Sequence, residues 1–138
     1  MSKFEGINKY GRRDISALQR LVGQKITLID FVPEDSSGVF YDVSVCFNGA
    51  RIDLGDEGQS CCEHRYMTTD DELGYLVGAR LVDIFTAEAP DGPHEYDVHE
   101  VEFLKIVTDM GTATFENHNE HNGYYGGFNI VARVRYDE

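Results

Sequence analysis

At 138 residues, with 41% apolar and 27% charged side chains, the chain has the size and make-up of one globular domain with a core of its own. Twelve Lys and Arg stand against 25 Asp and Glu, a net charge of −13 that excludes general DNA or RNA binding, where basic groups must displace phosphate counterions. The chain has no apolar run of membrane-spanning length and no apolar signal segment in "MSKFEGINKYGRRD", and its three cysteines are an odd number, so the expectation is a reduced, cytoplasmic protein without membrane contact.

In chain order, residues 1–13 are polar and read as a flexible arm, with a single domain over 14–138. Asp14 is a candidate N-cap for a helix whose stripe is Ile15, Leu18, Leu21 and Val22, closed by Gly23. "KITLIDFV" (25–32) is rich in strand formers, and "PEDSSG" (33–38) is turn chemistry. From 39 to 48 the alternation is strict: Val39, Tyr41, Val43, Val45 and Phe47 take one face of a strand, and Asn48-Gly49 turns it into the return strand 51–54. The T-x-x-E spacing of Thr69 and Glu72 predicts a capping box and a second short helix carrying Leu73, Leu76 and Val77. Strands are expected at 79–88, at 99–109 with a Met110-Gly111 turn and a short return, and at 128–136. "NHNEHNGYYGG" (117–127) reads as a loop, too polar and too rich in glycine for a strand.

"LVGQKITLI" (21–29) and "LVGARLVDI" (76–84) align without gaps. Each is followed by a long strand, a tight turn, a return strand and a polar stretch. The expectation is an internal duplication of a helix–strand–hairpin unit, with halves 14–66 and 69–136. The fold class expected is therefore α+β: two short helices on an antiparallel sheet or partial barrel.

The polar stretches carry the candidate site. Cys61, Cys62, Glu63, His64, Arg65 and Tyr66 would face His118, Glu120, His121, Asn122, Tyr124 and Tyr125 across one cleft. Rings to stack, an Arg to hold an anion and amides to read edges suit a small polar, nucleotide-like ligand held without catalysis. Cys61, His64, His118 and His121 are the metal-ligand candidates, through their i, i+3 spacings, yet a strand would send such pairs to opposite faces. A cysteine–histidine nucleophile is the enzymatic alternative, with no signature of a known cysteine enzyme. The acidity supports a further alternative, a protein-binding inhibitor or nucleic-acid mimic docking on a basic host protein. A homo-oligomer is compatible with the sequence, and the identity of any cofactor is left open by it.

"CCEHRYMTTDDEL" followed by "YLVGA" (61–79), "HEVEFLKI" (99–106) and "HNEHNGYYGGF" (118–128) resemble a family of small proteins of bacteriophages and bacterial genomes that share "CCE" and "NGYY" blocks. The resemblance implies a phage-borne accessory protein, with counter-defence as its expected setting. It brings no activity and no catalytic residues with it.

Overall fold

The computed structural model describes residues 4–9, 12–32, 42–57, 63–90, 98–123 and 126–137. Two largely antiparallel sheets dominate, accompanied by one helix and one 3-10 turn among the described residues. The first sheet has the order β1-β9-β4-β3-β2, from β1 (Asn8–Lys9), β9 (Ile130–Tyr136), β4 (Ala50–Asp56), β3 (Val43–Phe47) and β2 (Ile26–Phe31). The second has the order β5-β8-β7-β6, from β5 (Glu63–Thr68), β8 (Gly111–His121), β7 (Val98–Thr108) and β6 (Leu81–Glu88). The helix α1 covers Arg12–Leu21, with Leu18 and Leu21 buried, and Gly23 follows it at φ 86°. None of the helices described is long and apolar enough to cross a membrane.

This architecture corrects the α+β expectation with two helices. The second helix is only a 3-10 turn at Gly74–Leu76. The Thr69 hydroxyl makes no helix cap there; it donates to the Thr114 carbonyl (2.7 Å) and accepts from the Asp71 N–H, while the Asp71 carboxylate accepts from the Thr114 N–H (2.6 Å). The would-be capping box is thus spent on fastening the 69–71 segment to β8. The helix–strand–hairpin order expected twice recurs with a 3-10 turn in place of the second helix: α1, β2, β3, β4 and β5 are followed by Gly74–Leu76, β6, β7, β8 and β9, and the sheet orders β9-β4-β3-β2 and β5-β8-β7-β6 correspond strand for strand. The two "LVG" segments also share a set of mutual bonds: the Gly23 N–H donates to the Leu81 carbonyl and the Gly78 N–H to the Ile26 carbonyl, each at 2.8 Å. Ile26 and Leu81 likewise donate to Ala79 and Gln24 (2.7 and 3.1 Å), and Lys25 bridges Arg80. This locally two-fold junction joins the edges of the two sheets at one corner.

The last strand of each hairpin region crosses over. β4 leads into β5, which pairs with β8 of the second sheet, and β8 leads into β9, which pairs with β4 of the first. Between the sheets, Val43, Val45, Ile52 and Leu54 meet Ile84, Leu104, Ile106 and Phe115 in one buried cluster. The strict alternation read over 43–47 is present in β3, and Asn48-Gly49 forms its two-residue turn. β8 runs on through 117–121, a stretch expected to be a loop.

Residues 4–9, read as part of a loose arm, dock instead. Phe4 and Ile7 are buried, the Phe4 N–H donates to the Asp83 carboxylate (2.9 Å), and the Thr86 N–H donates to the Glu5 carbonyl (3.0 Å). Gly6 sits at φ 79°, and a Cβ there would lie 1.8 Å from Thr86 Oγ1. Gly6→Ala is expected to cost about 1–3 kcal/mol in urea unfolding. An unchanged midpoint would mean the segment is not held against β6.

Candidate functional site

The two polar segments singled out in the sequence do meet, as neighbouring strands rather than as loops across a cleft. β5 and β8 pair Glu63 with His121, His64 with Glu120, Arg65 with Asn119, and Tyr66 with His118. Because strand side chains alternate, the expected set divides between two faces of the second sheet. His64, Tyr66, His118 and Glu120 lie on the outer face, and Glu63, Arg65 and His121 on the face toward the first sheet. Cys61, Cys62, Tyr124 and Tyr125 lie outside the described residues, and Asn122 follows the end of β8. His118 and His121 point to opposite faces, so that i, i+3 pair does not converge. Among the described residues no group of three or more His, Cys, Asp or Glu is placed to hold a metal ion.

On the outer face the rings engage one another. Tyr66 stacks on His118 (centroids 4.5 Å, planes 5° apart) and leans on His64 (4.8 Å). His99 Nε2 and His118 Nδ1 are 2.9 Å apart, and His118 Nε2 lies 2.9 Å from the Thr68 hydroxyl. A bond between two imidazole nitrogens needs one donor and one acceptor, so both rings cannot be cationic here. Burial, with His99 alongside, holds the His118 imidazole below its ordinary pKa, against the opposing pull of Glu116 and Glu120. Of the rings expected to stack a ligand, Tyr66 is therefore engaged by contacts within the protein.

The inner face is built differently at its two ends. Along β8, Ala113 and Phe115 continue into Asn117, Asn119 and His121; along β7, Ile106 and Leu104 continue into Glu102 and Glu100. The core register is kept while its chemistry changes from apolar to polar. Arg65 closes this end. Its side chain is 7% exposed and its Nη1 donates to both Asp56 oxygens (3.0 and 2.9 Å) while its Nε donates to Glu63. Asp56, from β4, and Glu63 are themselves 8% and 2% exposed, so this triad joins the two sheets in a nearly dry setting. The bonds to Glu63 and Asp56 outweigh the burial that disfavours the guanidinium charge, and its pKa is raised.

The 126–129 segment between β8 and β9 folds over this end. The Gly127 N–H donates to Glu100 Oε1 (3.0 Å), Asn119 Nδ2 donates to the Gly127 carbonyl (3.1 Å), and the Asn129 N–H donates to Asp56 (3.0 Å). His121 Nε2 lies 2.7 Å from Glu100 Oε1, and its Nδ1 accepts from the Gly123 N–H at 2.9 Å. A nitrogen that accepts from a backbone N–H carries no proton, so this imidazole is the neutral Nε2–H tautomer donating to Glu100. Its basic nitrogen is already spent, which removes His121 as a general base in this geometry.

Beside these groups is a hollow of ≈ 380 Å³ lined by Glu88, Ala89, Glu100, Val101, Glu102, Gly127 and Phe128. Asn117, paired with Glu102 across the strands, is 1% exposed, and Asn119, paired with Glu100, is 0% exposed. The Oδ1 atoms of both amides are sealed from solvent and have no hydrogen-bond partner. An orphaned buried acceptor costs about 1–3 kcal/mol, which gives this end of the interior a standing demand for donors. Burial, together with the charges of Asp56 and Glu100, pushes the Glu102 carboxyl above its ordinary value of 4.5.

A raised carboxyl destabilises the fold once ionised: its contribution is fully present below the unfolded value and is lost as pH rises through the folded one. Glu102→Gln is accordingly expected to raise Tm at pH 7 by about 3 °C, with the difference vanishing toward pH 4. Scanning calorimetry at both pH values checks this; equal gains at both would assign the effect to packing.

Sequence reasoning missed Glu100, Glu102, Asn117 and Asn119 as site residues. The available signal was register: Glu100 and Glu102 fall in step with Leu104 and Ile106, on the side the strand buries.

Searches among curated proteins and among solved structures found no match. A family model matches residues 19–131, across β2 to the start of β9 and so across both sheets and the polar end between them. On that match, the chain belongs to the family described as Domain of unknown function (DUF7448).

Proposed function

We propose that this chain is a non-catalytic binding protein that holds a small polar ligand between its sheets, at the end formed by Glu100, Glu102, Asn117 and Asn119. One observation carries the reading: a hollow of ligand size is lined by Glu100 and by a Glu102 whose ionisation is disfavoured, and their cross-strand neighbours Asn119 and Asn117 lie buried behind that lining with unpartnered oxygens. The blocked Nδ1 of His121 supports binding over hydrolysis. A nucleotide-like ligand would have to present its base here, because phosphates would meet Glu88, Glu100 and Glu102. The resemblance of the "CCE" and "NGYY" blocks to phage-borne proteins supports an accessory role in the host bacterial cytoplasm, with sequestration of a small molecule as the means of counter-defence.

Differential scanning fluorimetry against a panel of nucleosides, nucleotides, amino acids and amines tests this. At least one class is expected to stabilise the protein, and Glu102→Gln is expected to diminish that gain while His64→Ala leaves it intact. The opposite pattern would move the site to the outer face and refute the assignment.

A further inference from the structure

We infer that the outer face of the first sheet carries a second binding site, at Arg51 and Arg135, for the phosphoryl group of a small phosphomonoester. Both residues lie on the side of β4 and β9 turned away from Ile52, Leu54 and Ala132 of the core, so the site is independent of the hollow at Glu100 and Glu102.

Arg65, the arginine that the sequence offers for an anion, is committed to Asp56 and Glu63. The pair on the first sheet is arranged differently. β4 and β9 set Arg51 directly opposite Arg135, and Asp53 opposite Arg133, with all four on one face. Like charges directly opposite each other disfavour the pairing of their strands. Asp53 is the counterweight, and it is 0% exposed. Its Oδ1 accepts from the Ser44 hydroxyl (2.8 Å) and lies 3.4 Å from Arg51 Nε, while its Oδ2 lies 3.0 Å from Arg135 Nε. Arg51 Nε and Asp53 Oδ2 have no well-formed hydrogen bond, so the anchoring is by charge. One buried carboxylate therefore faces the Nε edge of both guanidiniums. Their Nη ends have no bond or ion pair of their own among the described residues, and the two side chains are 41% and 46% exposed.

Two guanidiniums held by one carboxylate leave a positive charge unanswered. Each Nη end offers four N–H donors in a plane. A carboxylate has two oxygens and is filled by one such fork. A phosphomonoester has three free oxygens and close to two negative charges, and it can accept from both forks at once. The surroundings limit the size of the ligand. Asp30 and Asp137 act on this same face, at Cys46, and the chain carries a net charge of −13, so an extended polyanion is repelled. Beside Arg51 is a hollow of ≈ 310 Å³ whose lining includes Leu28, Asp30 and Val32. It has room for the body of a small ester, with Asp30 to accept from a hydroxyl and Leu28 and Val32, each 50% exposed, as apolar surface.

The test follows the side-chain ¹⁵Nε and ¹³Cζ signals of the labelled full chain by NMR while glycerol 3-phosphate is added at neutral pH and constant ionic strength. Saturable shifts are expected at Arg51 and Arg135, with Arg65 unmoved. Inorganic phosphate should bind more weakly than the ester, and acetate at least tenfold more weakly, as for loss of one bond between charged groups. Arg135→Lys keeps the charge beside Asp53 and removes the fork. It should keep the wild-type urea midpoint and weaken the ester about tenfold. Arg51→Lys makes the same reading from β4 should Arg135→Lys lose the fold. Lys105→Gln, which removes a cation from the second sheet, should leave binding unchanged; weakening there equal to that in Arg135→Lys would reduce the effect to net charge and overturn the site. Acetate binding as well as the ester would overturn the phosphoryl group, and inorganic phosphate binding better would overturn the ester. An oligonucleotide binding far more tightly would assign the arginines to nucleic acid and overturn the small ligand. Shifts that never saturate, or that spread over every exposed arginine, would overturn the site and leave the hollow at Glu100 and Glu102 untouched.

Discussion

Arg65→Met is expected to lower the unfolding free energy by about 3–5 kcal/mol at pH 7, the cost of leaving buried charge without its partner. The guanidinium, Asp56 and Glu63 are each less than a tenth exposed, so neither carboxylate can turn to water when the cation is removed. The loss is structural as well as electrostatic. Asp56 belongs to β4 of the first sheet and Arg65 to β5 of the second, and Asp56 also accepts from the Asn129 N–H where the chain returns to β9. Urea denaturation measures the effect. Adding Asp56→Asn and Glu63→Gln to the same chain should recover part of the loss, because the stranded charges are then gone. A loss below about 1 kcal/mol would place the triad among solvent-screened surface pairs and contradict its burial.

Phe115→Ala is expected to cost about 3–5 kcal/mol, from lost burial and the cavity left behind. Phe115 is fully buried on the inner face of β8, and its ring lies 5.5 Å from that of Phe31 in β2, tilted by 58°. The contact therefore spans the two sheets, one register step from where the interior turns polar at Asn117. Phe115→Leu keeps most of the volume and should lose less than about 1.5 kcal/mol. If both variants unfold at the wild-type urea concentration, the sheets do not pack through this ring.

Much of the strand pattern was legible because apolar alternation is a local signal. Val43, Val45 and Phe47 announce β3, Asn48-Gly49 its hairpin, and Leu18 with Leu21 the inner side of α1. The segments that failed carry their order in distant partners. Residues 117–121 look like a loop because their polar side chains suit solvent, yet β8 is a central strand between β5 and β7, and Asn119 and His121 are satisfied in part by Gly127, Glu100 and Gly123. The Thr69–Glu72 spacing fits a capping box, but Thr69 and Asp71 bond to Thr114, more than 40 residues along the chain, and the competing local helix is lost. The site had the same fate. The meeting of 63–66 with 118–121 was legible as paired composition, while their division between two faces depends on register, which composition does not encode.

The central claim is that the polar end between the sheets holds a small polar ligand at the hollow lined by Glu100 and Glu102, in front of the buried Asn117 and Asn119. Its most direct test is an NMR experiment on ¹³C,¹⁵N-labelled protein that follows the side-chain amide and the aromatic ring signals with and without a saturating amount of the compound that stabilises the protein in the fluorimetry panel. The account predicts that the Asn117 and Asn119 amide signals shift on saturation while the ring signals of His64 and Tyr66 stay in place. Movement of the His64 and Tyr66 signals with both amides unchanged would contradict it.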